Sequence, residues 1–155
     1  MAWAKSSGFL PKRPGHGFVA AHAGVGQSNV PGEHYATLLP ADPDGSAERI
    51  GCGLGCGAVI ISDTFGRPWR EGLVNVAIGV WGLAPLDDHR GKPDRDGRPL
   101  QSTMVALADE LAAAAGLVMR KAAGVPVVLI QGLVWKPAEG SARELIRPAE
   151  RDLFR

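Results

Sequence analysis

Cysteine and net charge are both scarce in this chain of 155 residues. Cys52 and Cys56 have three residues between them, which differs from the C-x-x-C spacing of redox motifs, and two cysteines alone cannot complete a zinc site. We therefore expect them to be small apolar residues in a glycine-rich loop. Lys+Arg 17 against Asp+Glu 16 gives a formal net charge of +1, which argues against nucleic-acid or membrane partners bound through bulk charge.

Long apolar runs are also missing, since none approaches the ~18 residues of a membrane span. The first residues, "MAWAKSSGFLPKRPGHG", lack the apolar centre of a signal peptide. These absences predict a soluble, cytoplasmic protein without a membrane partner. The length fits one domain, and a hydrophobic content of 45% is enough for a core. Gly 21 and Pro 12 indicate a loop-rich fold with short elements.

Hydrophobic periodicity predicts a few regular elements after an irregular lead-in over residues 1–16. The clearest is a helix over residues 102–123, capped by Ser102 or Thr103 and stopped by Gly124. Because strands and helices do not alternate in β-α-β units, we expect an α+β fold with a mixed, mostly antiparallel sheet and one long covering helix. The predicted strands are residues 17–23, 58–62, 74–81 and 125–133, and short helical turns are expected at 141–146 and 149–154.

Several aspartates lie in turn-like sequence and do not match metal-binding templates. Asp42 and Asp44 belong to a D-P-D-G sequence, which is typical of turns and can open a helix. The four aspartates of residues 86–100 lack the closing Glu of a calcium loop, so a solvated hairpin loop is predicted there.

The stretch "ISDTFGRPWREG" carries more polar chemistry than a turn needs. Asp63 and Thr64 are expected where the strand over 58–62 ends, and they offer two hard oxygens that suit Mg²⁺ or Mn²⁺. Arg67 and Arg70, three residues apart, can present forked donors to a carboxylate or a phosphate. Two interpretations remain open from these residues. One is a metal-assisted anion site, and the other is an Asp–Arg ion pair that closes a turn.

Several longer motifs resemble the coenzyme F420-0:L-glutamate ligases, the γ-glutamyl ligases of a deazaflavin coenzyme. The resemblance begins at about Gly17 and keeps the family's order. It implies a single F420 ligase-like domain over residues 17–155 that lacks the usual N-terminal part of the family. The motifs are "GFVAAHAGVGQSNV", "LLPADPDGSA", "SDTFGRPWREG", "VNVAIGVWGLAPLDDHRGKPDRDGRPLQST", "ALADELAAAAGLV" and "ELIRPAERDLF".

The resemblance implies a ligase that adds L-glutamate to coenzyme F420-0, or to a related carboxylate, through an acyl phosphate made with GTP. It implies Mg²⁺ or Mn²⁺, with K⁺ as a further candidate, and either a homodimer or a partner that supplies the missing N-terminal segment. By position it assigns metal binding to Asp63 and Thr64, nucleotide contact to Asn29, Met119, Lys121 and Gly124, and contact with anionic substrate groups in catalysis to Arg67 and Arg70.

Departures from the family pattern leave alternatives open. The resemblance puts Gly26 where the family has a metal-binding aspartate, and Arg120 where it has a glycine that allows close approach to the nucleotide. Trp81 stands at a usually small position and could fill space that a ligand occupies. These departures all affect ligand binding. The alternatives to an active ligase are a degenerate or partner-dependent module without activity of its own, and a structural protein on the same fold.

Overall fold

The structure is a computed structural model that describes residues 25–26, 28–30, 35–67 and 70–151. The predicted lead-in over residues 1–16 and the predicted strand over 17–23 lie outside the described residues. The elements in chain order are strands β1 (Val25–Gly26) and β2 (Thr37–Leu38), helix α1 (Pro43–Leu54), strands β3 (Val59–Gly66), β4 (Leu73–Trp81), β5 (Asp87–Asp88) and β6 (Met104–Val105), helix α2 (Leu107–Met119), and two 3₁₀ turns, Ala142–Leu145 and Ala149–Arg151.

A long antiparallel hairpin, β3 and β4, positions the rest of the fold. Its register places Asp63 opposite Val76 and Thr64 opposite Asn75, with one irregularity between Ile61 and Ser62. Two smaller antiparallel pairs, β1–β2 and β5–β6, complete the described sheets. The α+β class and the antiparallel pairing are therefore confirmed.

Both helices pack on β4, and small residues allow the close approach. A Cβ on Gly79 would lie 2.5 Å from the Pro43 carbonyl oxygen, so α1 begins directly against the strand. The Trp81 ring lies over Gly51 of α1 in the same way, since a Cβ there would lie 2.3 Å from the ring. From the sequence, the small residue at position 79 could allow either a ligand or another backbone to come close. The structure places the backbone of α1 there. The buried core is Ala77, Val80, Leu83, Ala108 and Ala142.

Each helix sends one aspartate to a backbone N–H group of β4. The carboxylate of Asp44, in the first turn of α1, accepts from the Val80 N–H at 2.8 Å. The carboxylate of Asp109, in the first turn of α2, accepts from the Ala77 N–H at 2.8 Å. Burial raises the pKa of Asp109, although its hydrogen bond from Ala77 acts in the opposite direction. The D-P-D-G sequence thus begins a helix, with Asp42 as its N-cap.

Two predicted boundaries are wrong. The strand predicted to end at residue 62 continues to Gly66, because β4 supplies paired backbone groups along its full length. The helix predicted over residues 102–123 spans only Leu107–Met119, because residues 104 and 105 instead pair with β5. Neither Ser102 nor Thr103 caps it, since Ala106 is the N-cap. A single long covering helix is not confirmed, since α1 has 12 residues and α2 has 13.

The buried strand predicted over residues 125–133 is also wrong. This segment has no strand assignment, and among the described strands none pairs with it. Val127 and Leu129 are 76% and 79% exposed. An apolar run predicts burial only when a neighbouring strand or helix covers it.

The remaining local predictions have mixed outcomes. The aspartate-rich connection is a hairpin loop, with an antiparallel bridge between Pro93 and Pro99. Both 3₁₀ turns fall where helical turns were expected, although residues 152–154 lie outside the described part. Cys52 lies in α1 and not in a loop, because the glycines around it are accommodated within the helix.

Candidate functional site

An open cavity of about 600 Å³ lies where the β3–β4 hairpin meets the end of α2. Residues from three separate parts of the chain line it: the turn after β1, the hairpin, and residues 113–126. Its volume falls in the usual range of ligand sites, ~300–1,000 Å³. Five residues assigned to the site by the resemblance lie in this lining, namely Asn29, Asp63, Thr64, Met119 and Lys121.

The loop after α2 is held across the cavity by two hydrogen bonds of Lys121. The Asn29 side-chain amide donates to the Lys121 carbonyl oxygen at 2.8 Å. The Lys121 ammonium donates to the Thr64 hydroxyl oxygen. Arg120 ends α2 with a φ of 51°, in the left-handed region, so the chain turns sharply just before Lys121. The three segments are therefore joined by direct polar contacts.

One carboxylate oxygen of Asp63 accepts a hydrogen bond, and the other has no hydrogen-bond partner among the described residues. Its Oδ1 accepts from the Thr64 N–H at 2.7 Å. The ion pairs found in the described part of the chain are those of the 87–92 loop, and none includes Asp63. The interpretation of an Asp–Arg pair that closes the turn is therefore not supported there. Asp63 is also the one carboxylate in the described lining, which contains two basic side chains, Arg120 and Lys121.

Three of the predicted site residues lie outside the lining. Arg67 donates to the carbonyl oxygens of Glu71 at 2.5 Å and Gly72 at 3.4 Å, so its guanidinium closes the hairpin turn. Arg70 is exposed in that turn. Gly124 has a φ of 67° and turns the chain just before Val125, which does line the cavity.

Asn75 lines the cavity as well, and no site assignment from sequence included it. Its Oδ1 faces the Thr64 hydroxyl at 3.5 Å, and its Nδ2 lies 3.8 Å from the Met119 sulfur. Gly116 of α2 packs directly on it, since a Cβ there would lie 3.0 Å from the Asn75 amide nitrogen. The sequence pointed to Asn75 in one way only, because it is a single polar residue within the apolar strand "VNVAIGV".

The oxygens around Asp63 fit a divalent cation only in part. Mg²⁺ usually takes one or two protein carboxylates together with water and substrate phosphates, so Asp63 alone could anchor it. No cluster of three or more acidic, histidine or cysteine residues suitable for a metal occurs in the portion of the chain that the structure describes. The second predicted ligand, the Thr64 hydroxyl, already accepts from the Lys121 ammonium. Asp63 could therefore serve as a metal ligand, whereas the Thr64 hydroxyl could not do so while it accepts from the Lys121 ammonium.

Two departures from the family pattern now have a structural setting. Gly26 lies in β1 opposite Thr37, and a Cβ on it would lie 2.9 Å from the Thr37 hydroxyl oxygen. An aspartate at 26 would therefore require Thr37 to move. Trp81 packs on α1 and is not part of the cavity lining. The idea that it fills ligand space in this cavity is not supported.

Comparisons with known proteins agree on one family. The profile described as F420-0:Gamma-glutamyl ligase matches residues 3–132, and so begins earlier than the motif resemblance at Gly17. A relative from Methanothermobacter thermautotrophicus is 53% identical over 158 residues, which covers 95% of this chain and 61% of the relative. One from Methanocaldococcus jannaschii is 46% identical over 156 residues, with the same two coverages of 95% and 61%.

A third relative, from Methanopyrus kandleri, is 49% identical over 154 residues, covering 90% of this chain and 59% of the relative. All three relatives are named coenzyme F420:L-glutamate ligase. This chain spans about three-fifths of their length. Among the helices of the described residues, none has the length and apolar character of a membrane span. The chain belongs to the F420-0:Gamma-glutamyl ligase family.

Proposed function

We propose that this chain carries the nucleotide and phosphoryl-transfer site of a γ-glutamyl ligase. The substrates are GTP, L-glutamate and coenzyme F420-0 or a related carboxylate. Membership of the F420-0:Gamma-glutamyl ligase family supports the reaction class. The names of the relatives support coenzyme F420 and L-glutamate as the substrates.

The observation that carries the proposal is the meeting of Asn29, Asp63 and Lys121 at one cavity. These residues come from three distant parts of the chain. One hydrogen bond joins Asn29 to Lys121, and a second joins Lys121 to Thr64, the residue next to Asp63. A stability role alone does not require a carboxylate, an amide and an ammonium around open space. Such a set suits a ligand that carries phosphate groups, which cations and amide donors bind well.

The reaction has two balanced steps. An oxygen of the acceptor carboxylate attacks the γ-phosphorus of GTP, forms an acyl phosphate and displaces GDP. The amine of L-glutamate, after loss of a proton, then attacks the acyl carbon and expels inorganic phosphate. Positioning and charge stabilisation supply most of the catalysis in phosphoryl transfer.

The residues of this chain contribute those two effects. Lys121 and Arg120 place positive charge beside the cavity, where phosphate charge would lie. Asn29 holds the Lys121 backbone and so fixes the loop that carries both cations. Asp63 would hold a divalent cation, Mg²⁺ or Mn²⁺, which when bound would neutralise phosphate charge. Thr64 lies next to Asp63 and is oriented from the opposite strand by Asn75.

Further parts of the proposal concern partners and location. A homodimer, or a partner that supplies an N-terminal segment, remains a prediction. Three other points also remain predictions. They are K⁺ as an additional cation, a cytoplasmic location, and the contact of Arg67 and Arg70 with anionic substrate groups. The last would require Arg67 to leave the two turn carbonyls that it now binds.

Turnover by the purified chain tests the proposal. The chain is incubated with coenzyme F420-0, GTP, L-glutamate and MnCl₂, and the glutamylated product is measured by mass spectrometry. Asp63→Asn should lower the rate by about a hundredfold, a typical loss for one electrostatic group at a reacting centre. Asp96→Asn, in the exposed 87–100 loop, is the matched control and should keep the wild-type rate.

The outcomes separate the ligase from the alternative of a module without activity of its own. Product formation that depends on Asp63 supports the ligase. GTP binding without product, in the presence of all substrates, would favour the inactive or partner-dependent module. An Asp63→Asn variant that keeps full activity would refute the assignment of the site.

A further inference from the structure

We infer that the Lys121 ammonium is a built-in cation of the phosphate site, which takes the place of a divalent metal at the Thr64 hydroxyl. The inference deepens the proposed function, because the phosphates are those of the nucleotide. It assigns metal-free binding of a polyphosphate to this cavity. Divalent metal then acts at Asp63 and not at Thr64.

The contact between Lys121 and Thr64 is the first observation. The Lys121 ammonium donates to the hydroxyl oxygen that a metal would need as a ligand. The same hydroxyl faces the side-chain oxygen of Asn75, Oδ1, at 3.5 Å, and it can donate its own hydrogen in that direction. The hydroxyl has one hydrogen and two lone pairs, and the ammonium occupies the side that points to the loop after α2. A divalent cation placed there would lie beside a positive charge, which Coulomb repulsion opposes.

The anchoring of the loop is the second observation. The Asn29 amide donates to the Lys121 carbonyl oxygen at 2.8 Å, so residues far apart in sequence fix this backbone position. On the N-terminal side, the Arg120 N–H donates to the Gly116 carbonyl oxygen at 3.1 Å, which ties the loop to the end of α2. Lysine side chains on the surface normally move freely, and binding of this backbone from two sides keeps the ammonium near the cavity.

The balance of charge in the cavity is the third observation. Its described lining contains one carboxylate, Asp63, against the cations Arg120 and Lys121. A site that depends on metals alone to attract phosphate usually gathers acidic ligands around them. Here the described groups leave a net positive charge, which attracts an anion directly.

Calorimetry with inorganic triphosphate and with GTP tests the inference, each in EDTA and in Mn²⁺. The variants are Lys121→Met, which keeps the length of the side chain without its charge, and Lys136→Gln, which removes an exposed charge outside the cavity. Wild type and Lys136→Gln should bind both anions in EDTA. Lys121→Met should bind them about tenfold more weakly there, as expected for loss of one nearby unit charge.

A second titration, with Mn²⁺ alone, gives a change of opposite sign. Lys121→Met frees the Thr64 oxygen and removes a repelling charge, so it should bind Mn²⁺ about tenfold more tightly than wild type. A residue that only supported the loop would lower both affinities when replaced. Circular dichroism and the melting temperature check that each variant is folded.

Each result decides one question. Weaker metal-free anion binding together with tighter Mn²⁺ binding in Lys121→Met supports the inference. If wild type binds GTP only when Mn²⁺ is present, the inference is overturned and the proposed ligase function still stands. Equal affinities of wild type and Lys121→Met in EDTA overturn it as well. Metal-free GTP binding through Lys121 without ligase turnover leaves the inference standing and counts against the proposed function.

Discussion

Asp44 lies half-buried in the first turn of α1, and its replacement should destabilise the fold strongly. Its Oδ1 accepts two backbone N–H groups, from Val80 at 2.8 Å and from Ala142 at 3.1 Å. Its Oδ2 accepts from the Ser141 hydroxyl at 2.6 Å. One side chain therefore joins α1, β4 and the first 3₁₀ turn. Val80 is 1% exposed, so water cannot replace the acceptor of its N–H group.

The magnitude follows from what each substitution leaves unpaired. Asp44→Ala removes both acceptor oxygens and their three hydrogen bonds, and it leaves a buried N–H group without a partner, at a cost of about 1–3 kcal/mol for that group alone. With the lost charged hydrogen bonds we expect a loss of about 3 kcal/mol in unfolding free energy. Asp44→Asn keeps the Oδ1 atom and both backbone bonds. Its amide can donate to the Ser141 hydroxyl after that hydroxyl rotates, so we expect a loss of about 1 kcal/mol.

Urea and thermal unfolding, followed by circular dichroism, measure these differences. The Ala variant should melt about 6–12 °C below wild type, using about 2–4 °C for each kcal/mol in a chain of this size. Asp96→Ala removes an exposed carboxylate of the 87–100 loop and should melt within about 1 °C of wild type. Equal losses for the Asn and Ala variants would refute the argument, because the Oδ1 bonds would then be irrelevant. An Ala variant as stable as wild type would refute it too.

Three further predictions have their own measurements. Gly116→Ala should weaken GTP binding in calorimetry with little change in melting temperature, because the new Cβ would displace Asn75, whose amide nitrogen lies 3.0 Å from that position. Arg90 lowers the pKa of Asp88 to about 2, so this pair contributes stability above pH 3.8 that is lost as pH falls through about 2. Arg90→Gln should return the Asp88 pKa towards 3.8 in an NMR titration, and an unchanged value would contradict the pairing. Arg67→Ala should lower the unfolding free energy by about 1 kcal/mol through the lost turn bonds, whereas a raised KM for L-glutamate at unchanged stability would favour the anion-binding role.

The hairpin and the site were predictable to different degrees. The apolar run before Asp63 and the alternation after Leu73 mark two strands, and the structure pairs them. The chemistry of the residues themselves suggested Asp63 and Thr64. The joining of Asn29 and Lys121 to them needed the family resemblance, because contacts over 92 and 57 positions leave no local pattern.

Two of the wrong predictions have one physical source, which is the choice of partner at long range. Ser102 and Thr103 have the chemistry of helix caps, but pairing of Met104 and Val105 with β5 takes up the backbone before α2 can begin. The segment over residues 125–133 has the composition of a buried strand. Periodicity gives its preference for burial, but it does not reveal whether another element covers it.

Helix α2 shows how packing and the candidate site depend on each other. Ala108 and Ala112 are the buried residues of the helix, while Ala113 and Gly116 line the cavity. Small side chains on the core face let the helix lie close to β4, and small residues on the other leave room for a ligand. At Gly116 the missing Cβ lets α2 lie directly on the Asn75 side chain at the cavity wall. Larger residues of α2 lie beside these small ones, with Leu107 and Leu111 packed against the core and Leu117 and Met119 in the cavity lining. Alanine and glycine are therefore needed at particular contacts of α2 and not along whole faces of the helix.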